Sequence, residues 1–169
     1  MSIRIEAYTA SGVARGLVAR SGHLREVLEA GGDLRIERAS WQPLGQPSAS
    51  PAGEISVAID DIIVAVGDDD PSIPVHATWH RLCLEAPPFV LIGELPTLPG
   101  YDPGRALARP TGEFVVLRDV ELAVDGAAHT VVASVALLNR YAVERVEADL
   151  MLGFYFPGAA LAEAGLAGA

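Results

Sequence analysis

The fold is decided by the stretch GVARGLVARSGHLREVLEAGGDLRIERA, residues 12–39. Its two ends alternate apolar and polar residues, as half-buried strands do. Between them, Leu24, Val27 and Leu28 have the spacing of one face of a helix, with Ser21 as the predicted N-cap and a glycine pair as its end. The stretch therefore predicts a strand, a short helix and a second strand.

The residues on either side extend this pattern. Strands are predicted at residues 3–8, 55–59 and 62–66, and a Pro- and Ser-rich loop at 42–53. Gly16 lies inside the second strand, where glycine often marks a bulge or a sharp bend. The order β-β-α-β-β-β predicts a mainly β fold with one short helix, in a small curved sheet or barrel of about five strands.

A second stretch, FVLIGELPTLPGYDPGRALARPTGEFVVLRD at residues 89–119, repeats the first in altered form. Aligning Gly16 with Gly93 predicts these matched pairs: Arg4 with Arg81, Ile5 with Leu82, Arg38 with Arg118, Ile59 with Leu137, and Asp61 with Asn139. The alternative is that two β-rich segments of biased composition look alike. Internal duplication predicts two related units at 1–67 and 75–152, an acidic linker at 68–74 and a C-terminal tail at 153–169.

The two copies differ most between their second and third strands. The helix of the first copy is replaced in the second by a Pro-rich loop at residues 96–110. If function has diverged between the copies, we expect this loop to be the place.

The composition excludes several classes of protein. The chain has 169 residues, half of them hydrophobic, and a formal net charge of -10; all 12 basic residues are Arg. An acidic chain without a basic patch makes nucleic acid an unlikely partner. No apolar run is long enough for a membrane helix, and the charged N-terminus does not resemble a secretory signal. A single cysteine, Cys83, gives no sign of an oxidising compartment, so we predict a cytoplasmic protein.

One cluster, HATWHRLC, suggests a metal site. On a strand, His76 and His80 share a face and Cys83 lies on the other, so no third ligand is placed. The sequence has no Gly-x-Ser-x-Gly nucleophile elbow, no Gly-rich phosphate-binding loop and no complete calcium-binding loop. The sequence predicts no cofactor and no catalytic residues, with a metal-dependent or hydrolytic enzyme using His76 and His80 as an alternative.

The order RGLV, LRIERA and SVAIDDIIVAV, between residues 3 and 66, resembles the Sm-like small β-barrel. That family has a bent, Gly-containing second strand and a short closing hairpin. Here a helix fills a loop of the barrel, no separate helix precedes the first strand, and the Asp and Asn that contact RNA in the family are missing. The resemblance therefore implies the fold and not RNA binding. The chain is also similar to a duplicated bacterial protein type with no activity attached.

These observations favour a non-enzymatic binding or assembly module that engages a protein partner or associates with itself. A nucleic-acid-binding module of Sm-like descent is the second alternative. The residues predicted to bind are Arg38, Arg118, Tyr101, Asp102, Arg105, Phe154 and Tyr155.

Overall fold

The protein is described by a computed structural model covering residues 2–19, 22–67, 77–97, 112–124, 130–148 and 155–163. These residues are mainly in β-strands, with one short α-helix, which confirms the prediction of a mainly β fold with one short helix. The chain divides into two compact units. The first holds residues 1–72 and 136–138, and the second holds 73–135 and 139–169.

The first unit is an antiparallel sheet with strand order β5-β1-β2-β3-β4. Its elements are β1 (Ser2–Thr9), β2 (Gly12–Ala19), α1 (Leu24–Glu29), β3 (Asp33–Pro43), β4 (Ser50–Ala58), a 3-10 turn (Ile59–Asp61) and β5 (Ile62–Gly67). No pairing between β4 and β5 is found in the described residues, so the sheet is open where a barrel was predicted.

The second unit has the strand order β11-β10-β6-β7-β8-β9. Its elements are β6 (Thr78–Ala86), β7 (Phe89–Thr97), β8 (Phe114–Val124), β9 (Thr130–Asn139), a 3-10 turn (Arg140–Ala142), β10 (Arg145–Ala148) and β11 (Ala160–Glu163). Strand β11 lies in the predicted tail and pairs parallel to β10, so part of that tail belongs to the sheet.

The core of each unit is built from the alternation of its strands. In the first, Ile5 and Ala7 are fully buried, and the predicted helix face packs inward because Leu24, Val27 and Leu28 are almost fully buried. In the second, Phe89, Leu91 and Phe114 are among the most buried side chains. Burying such side chains supplies the main favourable term in folding.

Two predictions, the N-cap of the helix and the length of the loop at 42–53, are wrong in detail. The residue in the N-cap position is His23, without a side-chain cap, and the predicted cap Ser21 lies outside the described residues. The predicted loop at 42–53 is shorter, because β3 continues to Pro43 and β4 begins at Ser50. The predicted helix end is confirmed, since Gly31 and Gly32 have φ of 70° and 82°, a region that favours glycine.

Both units have a β-bulge at a glycine. Gly16 pairs with Ile5, and Gly93 pairs with Leu82. The register to the third strand shifts between Arg15 and Leu17 in the first unit, and at the same place around Gly93 in the second. The predicted bulge at Gly16 is therefore confirmed.

Beyond the bulge, the predicted matching of the two halves is wrong by one residue. Leu17 pairs with Glu37, whereas Glu94, one residue after Gly93, pairs with Arg118. Arg38 therefore takes the position of Asp119, and these two residues share positive φ values of 49° and 50°. The match of Arg38 with Arg118 followed residue identity across a loop of different length, and a one-residue slip in a strand exchanges its faces.

The 3-10 turns require a similar correction. The backbone N–H of Ile59 donates to Gly32 at 2.9 Å, and that of Arg140 donates to Glu113 at 2.9 Å. Ile59 therefore corresponds to Arg140 and not to Leu137. The match of Asp61 with Asn139 is wrong for the same reason, since Asp61 ends its 3-10 turn and Asn139 precedes the other.

Within the described part of the chain, no helix is both long and apolar enough to cross a membrane.

Candidate binding clefts of the first unit

A cleft of about 870 Å³ lies beside the unpaired side of β4 in the first unit. We call it the edge cleft. Its walls come from the β1–β2 turn, the end of β3, the second half of β4, the 3-10 turn and the start of β5. The lining residues are Thr9, Ala10, Ser11, Trp41, Ala52, Ile55, Ser56, Val57, Ala58, Asp60, Asp61 and Ile63.

The rim at the β1–β2 turn is held by Thr9. Its side chain is 5% exposed, and Oγ1 donates to the carbonyl oxygen of Gly12 at 2.9 Å. The same oxygen accepts from the backbone N–H of Gly12 at 3.2 Å. Because a buried hydroxyl ties the turn in both directions, this rim is ordered before any ligand arrives.

The aromatic wall of the cleft depends on a glycine. A Cβ placed on Gly12 would lie 2.7 Å from Cζ2 of Trp41 and 2.5 Å from the carbonyl oxygen of Gln42. Only a residue without a side chain allows Trp41 to lie this close to β2. The indole of Trp41 is half-buried and offers a large apolar surface to the cleft.

Strand β4 pairs with β3 on one side, and on its other side the described residues provide no partner strand. Its first half is poorly suited to further pairing, because Pro51 has no N–H and Gly53 has φ of 71°. Its second half keeps a regular register, with Ser56 opposite Arg35 and Ile55 opposite Ile36. The part of β4 that can accept another strand is therefore the part that lines the edge cleft.

Among the described residues, those that line the edge cleft and carry a charge are Asp60 and Asp61, both exposed in the 3-10 turn. These two residues lie between two predicted strands, and the sequence predicted no binding role for them. The remaining lining is apolar or carries hydroxyl groups. This combination favours a ligand with an apolar body and a positive charge at one end.

A second cleft, of about 390 Å³, contains the predicted binding residue Arg38. We call it the arginine cleft. It is lined by Arg4, Ile5, Glu6, Arg15, Gly16, Leu17, Arg38 and Ser40. Its arginines come from β1, β2 and β3, and Arg38 lies at the positive-φ position of the bulge.

Arg118, predicted to bind and matched with Arg38 in the predicted repeat, makes contacts within the second unit. Its Nη2 lies 3.0 Å from Oε2 of Glu94, and its guanidinium lies 3.9 Å from the centre of the Trp79 ring. An ion pair and a cation–π contact account for this side chain without a ligand.

Tyr155, predicted as an interface anchor, is 9% exposed, and its ring centre lies 6.4 Å from that of Phe156. It therefore packs within the second unit. Four other predicted binding residues lie outside the described residues, namely Tyr101, Asp102, Arg105 and Phe154.

The histidine cluster is only partly described, since His76 lies outside the described residues. Nε2 of His80 lies 2.7 Å from Oγ1 of Thr97, a hydrogen bond between β6 and β7. Burial raises the pKa of the Cys83 thiol, and the nearby carboxylates of Glu147 and Glu85 raise it further. Such a thiol is protonated at neutral pH and is a poor nucleophile or metal ligand. The described residues contain no group of three side chains that could hold a metal ion.

Comparisons with protein-family models, with curated proteins and with solved structures found no match to this chain.

Proposed function

We propose that this protein is a non-enzymatic binding module built from two related small β units. We further propose that the edge cleft of the first unit binds an extended segment of a partner protein as an added strand on β4. The observation that carries the proposal is the coincidence of an 870 Å³ apolar cleft with the unpaired, regular half of β4. An added strand would satisfy the free backbone groups of β4, and its side chains would fill the cleft.

The relation between the units is supported by their matching registers. Each has a glycine bulge in its second strand, a positive-φ residue in its third and a 3-10 turn before its fifth. Ile5 with Gly67 and Leu82 with Ala148 are equivalent pairs between the first and fifth strands of each unit. We propose that the units arose by internal duplication of an Sm-like small barrel, and the bulge at Gly16 supports that resemblance.

The chemistry of the partner follows from the cleft. Its apolar wall, with Trp41 and Ile55, favours a segment with apolar side chains at alternate positions. Asp60 and Asp61 favour a Lys or Arg at one end, and the net charge of -10 favours a basic partner in general. A cytoplasmic location and self-association belong to the same proposal; Val132, 76% exposed on β9, is a candidate contact between copies.

The test measures binding of fluorescent eight-residue peptides that alternate Val and Thr and end in Lys or in Glu. We expect the Lys peptide to bind at least tenfold more tightly than the Glu peptide, in a salt-dependent way. The double substitution Asp60→Asn and Asp61→Asn removes this preference. The double substitution Glu121→Gln and Glu144→Gln, which removes two exposed carboxylates from the second unit, serves as the charge-matched control and leaves it unchanged.

Strand addition itself is tested with the same peptide N-methylated at alternate residues. Methylation removes backbone donors while it keeps the side chains, so we expect binding to be lost. Equal binding of the methylated peptide would show that β4 is not extended by the ligand. Failure of every peptide to bind at about 1 mM would overturn the proposed function.

A further inference from the structure

Three arginines from adjacent strands surround the arginine cleft, on residues different from those of the edge cleft. Arg4 comes from β1, Arg15 from β2 and Arg38 from β3. Glu6 is the one acidic residue among the described residues of its lining. In a chain with a net charge of -10, a cleft with a surplus of positive charge stands apart from the rest of the protein.

Two contacts position the central arginine before a ligand binds. Nη1 of Arg15 donates to Oε1 of Gln42 at 2.8 Å, and Nε2 of Gln42 donates to the carbonyl oxygen of Gln46 at 2.8 Å. Glu6 lies 3.6 Å from Nε of Arg15 and accepts a hydrogen bond of 2.6 Å from the hydroxyl of Tyr8. The Glu6 carboxylate is thus shared between Arg15 and Tyr8, which weakens its competition with an incoming anion for Arg15.

The bulge at Gly16 brings a glycine and Arg38 to this cleft. A Cβ on Gly16 would lie 2.6 Å from the carbonyl oxygen of Glu37, so only glycine allows β3 to approach so closely. The next residue of β3, Arg38, adopts φ of 49°, and both Gly16 and Arg38 line the cleft.

The second unit does not repeat this charge pattern. By strand register, Arg81 stands at the position of Arg4, whereas Ile92 stands at that of Arg15 and Asp119 at that of Arg38. The same bulge is therefore present in both units, and the arginine set is found in the first alone among the described residues. Since the second unit forms the bulge without the full set of arginines, the bulge itself does not require them.

We propose that the arginine cleft binds the phosphoryl group of a small molecule through Arg4, Arg15 and Arg38. Guanidinium groups present forks of N–H donors that match the oxygens of phosphate, and their charge-assisted hydrogen bonds are strong. The volume of about 390 Å³ exceeds that of a bare phosphate and leaves room for an organic part. This site is independent of the edge cleft, so each proposal can fail without the other.

The test is a calorimetric titration with inorganic phosphate and with ribose 5-phosphate, each compared with acetate and chloride at equal ionic strength. We expect both phosphates to bind, and acetate and chloride to bind at least tenfold more weakly. Tighter binding of ribose 5-phosphate assigns the cleft to a phosphate monoester, and equal binding assigns it to phosphate alone. Equal heats with phosphate and chloride overturn the proposal.

The decisive variants are Arg38→Gly and Arg38→Asp. Glycine favours the positive φ at this position, and the second unit already places Asp119 at the equivalent one, so both variants keep the fold. We expect either change to weaken phosphate binding at least tenfold. The control is Arg35→Gln on the same strand, where the arginine lies 3.1 Å from Glu54 and outside the cleft. If Arg35→Gln weakens binding as much as Arg38→Gly, general charge and not this cleft binds the anion, and the proposal is wrong.

Discussion

Gly16 and Gly93 occupy equivalent bulges with different amounts of space around them. A Cβ on Gly16 would lie 2.6 Å from the carbonyl oxygen of Glu37 and 2.6 Å from Cγ2 of Ile36. On Gly93 the nearest atoms are Cγ2 of Val120 at 3.3 Å and the carbonyl oxygen of Arg118 at 3.4 Å. The second bulge is therefore looser than the first.

This difference predicts unequal effects of the same substitution. Gly16→Ala forces the backbone of β3 to move, and we expect a loss of about 1–3 kcal/mol in the free energy of unfolding. Gly93→Ala needs a shift of a few tenths of an ångström, and we expect a loss of less than about 1 kcal/mol, partly offset by the less flexible unfolded chain. Urea denaturation of both variants measures this. Equal losses would contradict the difference in packing.

Tyr8 links stability to pH. Burial raises the pKa of Tyr8, and its hydrogen bond to Glu6 raises that pKa further. Because the folded state then holds the phenolic proton more tightly than the unfolded chain, stability is unaffected below the unfolded pKa of about 10 and falls as the pH rises above it.

We expect the free energy of unfolding of the parent protein to fall between about pH 9 and about pH 11 by about 1 kcal/mol more than that of Tyr8→Phe. A phenol that stays protonated in the folded state gives a loss of about 1.4 kcal/mol per pH unit, and this slope is reached only above the unfolded pKa of about 10. Chemical denaturation at both pH values measures the difference. Parallel losses in the two proteins would show that Tyr8 is not the group that titrates.

At the scale of elements, local patterns predicted those parts of the fold whose signals are local. The helix around Leu24 and Leu28 and the alternation of β1 are examples, because side-chain periodicity reports burial directly. Strand β11 was missed because Ala160–Glu163 has no strand pattern and forms by backbone pairing to β10. Tertiary pairing of this kind overrides intrinsic preference.

The clefts also differ in how far local sequence signals could predict them. Arg38 was selected from the sequence because arginine recurs, but its recurrence with Arg118 does not survive the register of the strands. The edge cleft gave no local signal, since it joins the turn after β1 to the end of β4 and the 3-10 turn, which lie far from that first turn in the chain. Pro51, at the unpaired edge, is the residue that could have indicated it.

At the scale of the whole molecule, the charges are unbalanced, because the chain has 22 acidic residues and 12 arginines. The ion pair between Arg35 and Glu54 is exposed to solvent, with side chains 73% and 55% exposed. Exposed pairs of this kind contribute about 0–1 kcal/mol each. Repulsion among the surplus carboxylates acts over longer distances and opposes the compact state.

Salt weakens both the attraction within ion pairs and the repulsion among carboxylates. Weaker attraction lowers the stability of the fold and weaker repulsion raises it, so the effect of salt on stability reveals which of the two is larger. Raising NaCl from about 10 mM to about 200 mM shortens the screening length to below 10 Å and weakens both. Since repulsion involves the larger number of charges, we expect the free energy of unfolding to rise, by up to about 1 kcal/mol. Urea denaturation at the two salt concentrations measures it, and chloride is used so that phosphate binding does not contribute. A fall in stability would mean that attractive pairs such as that of Arg118 with Glu94 outweigh the net charge.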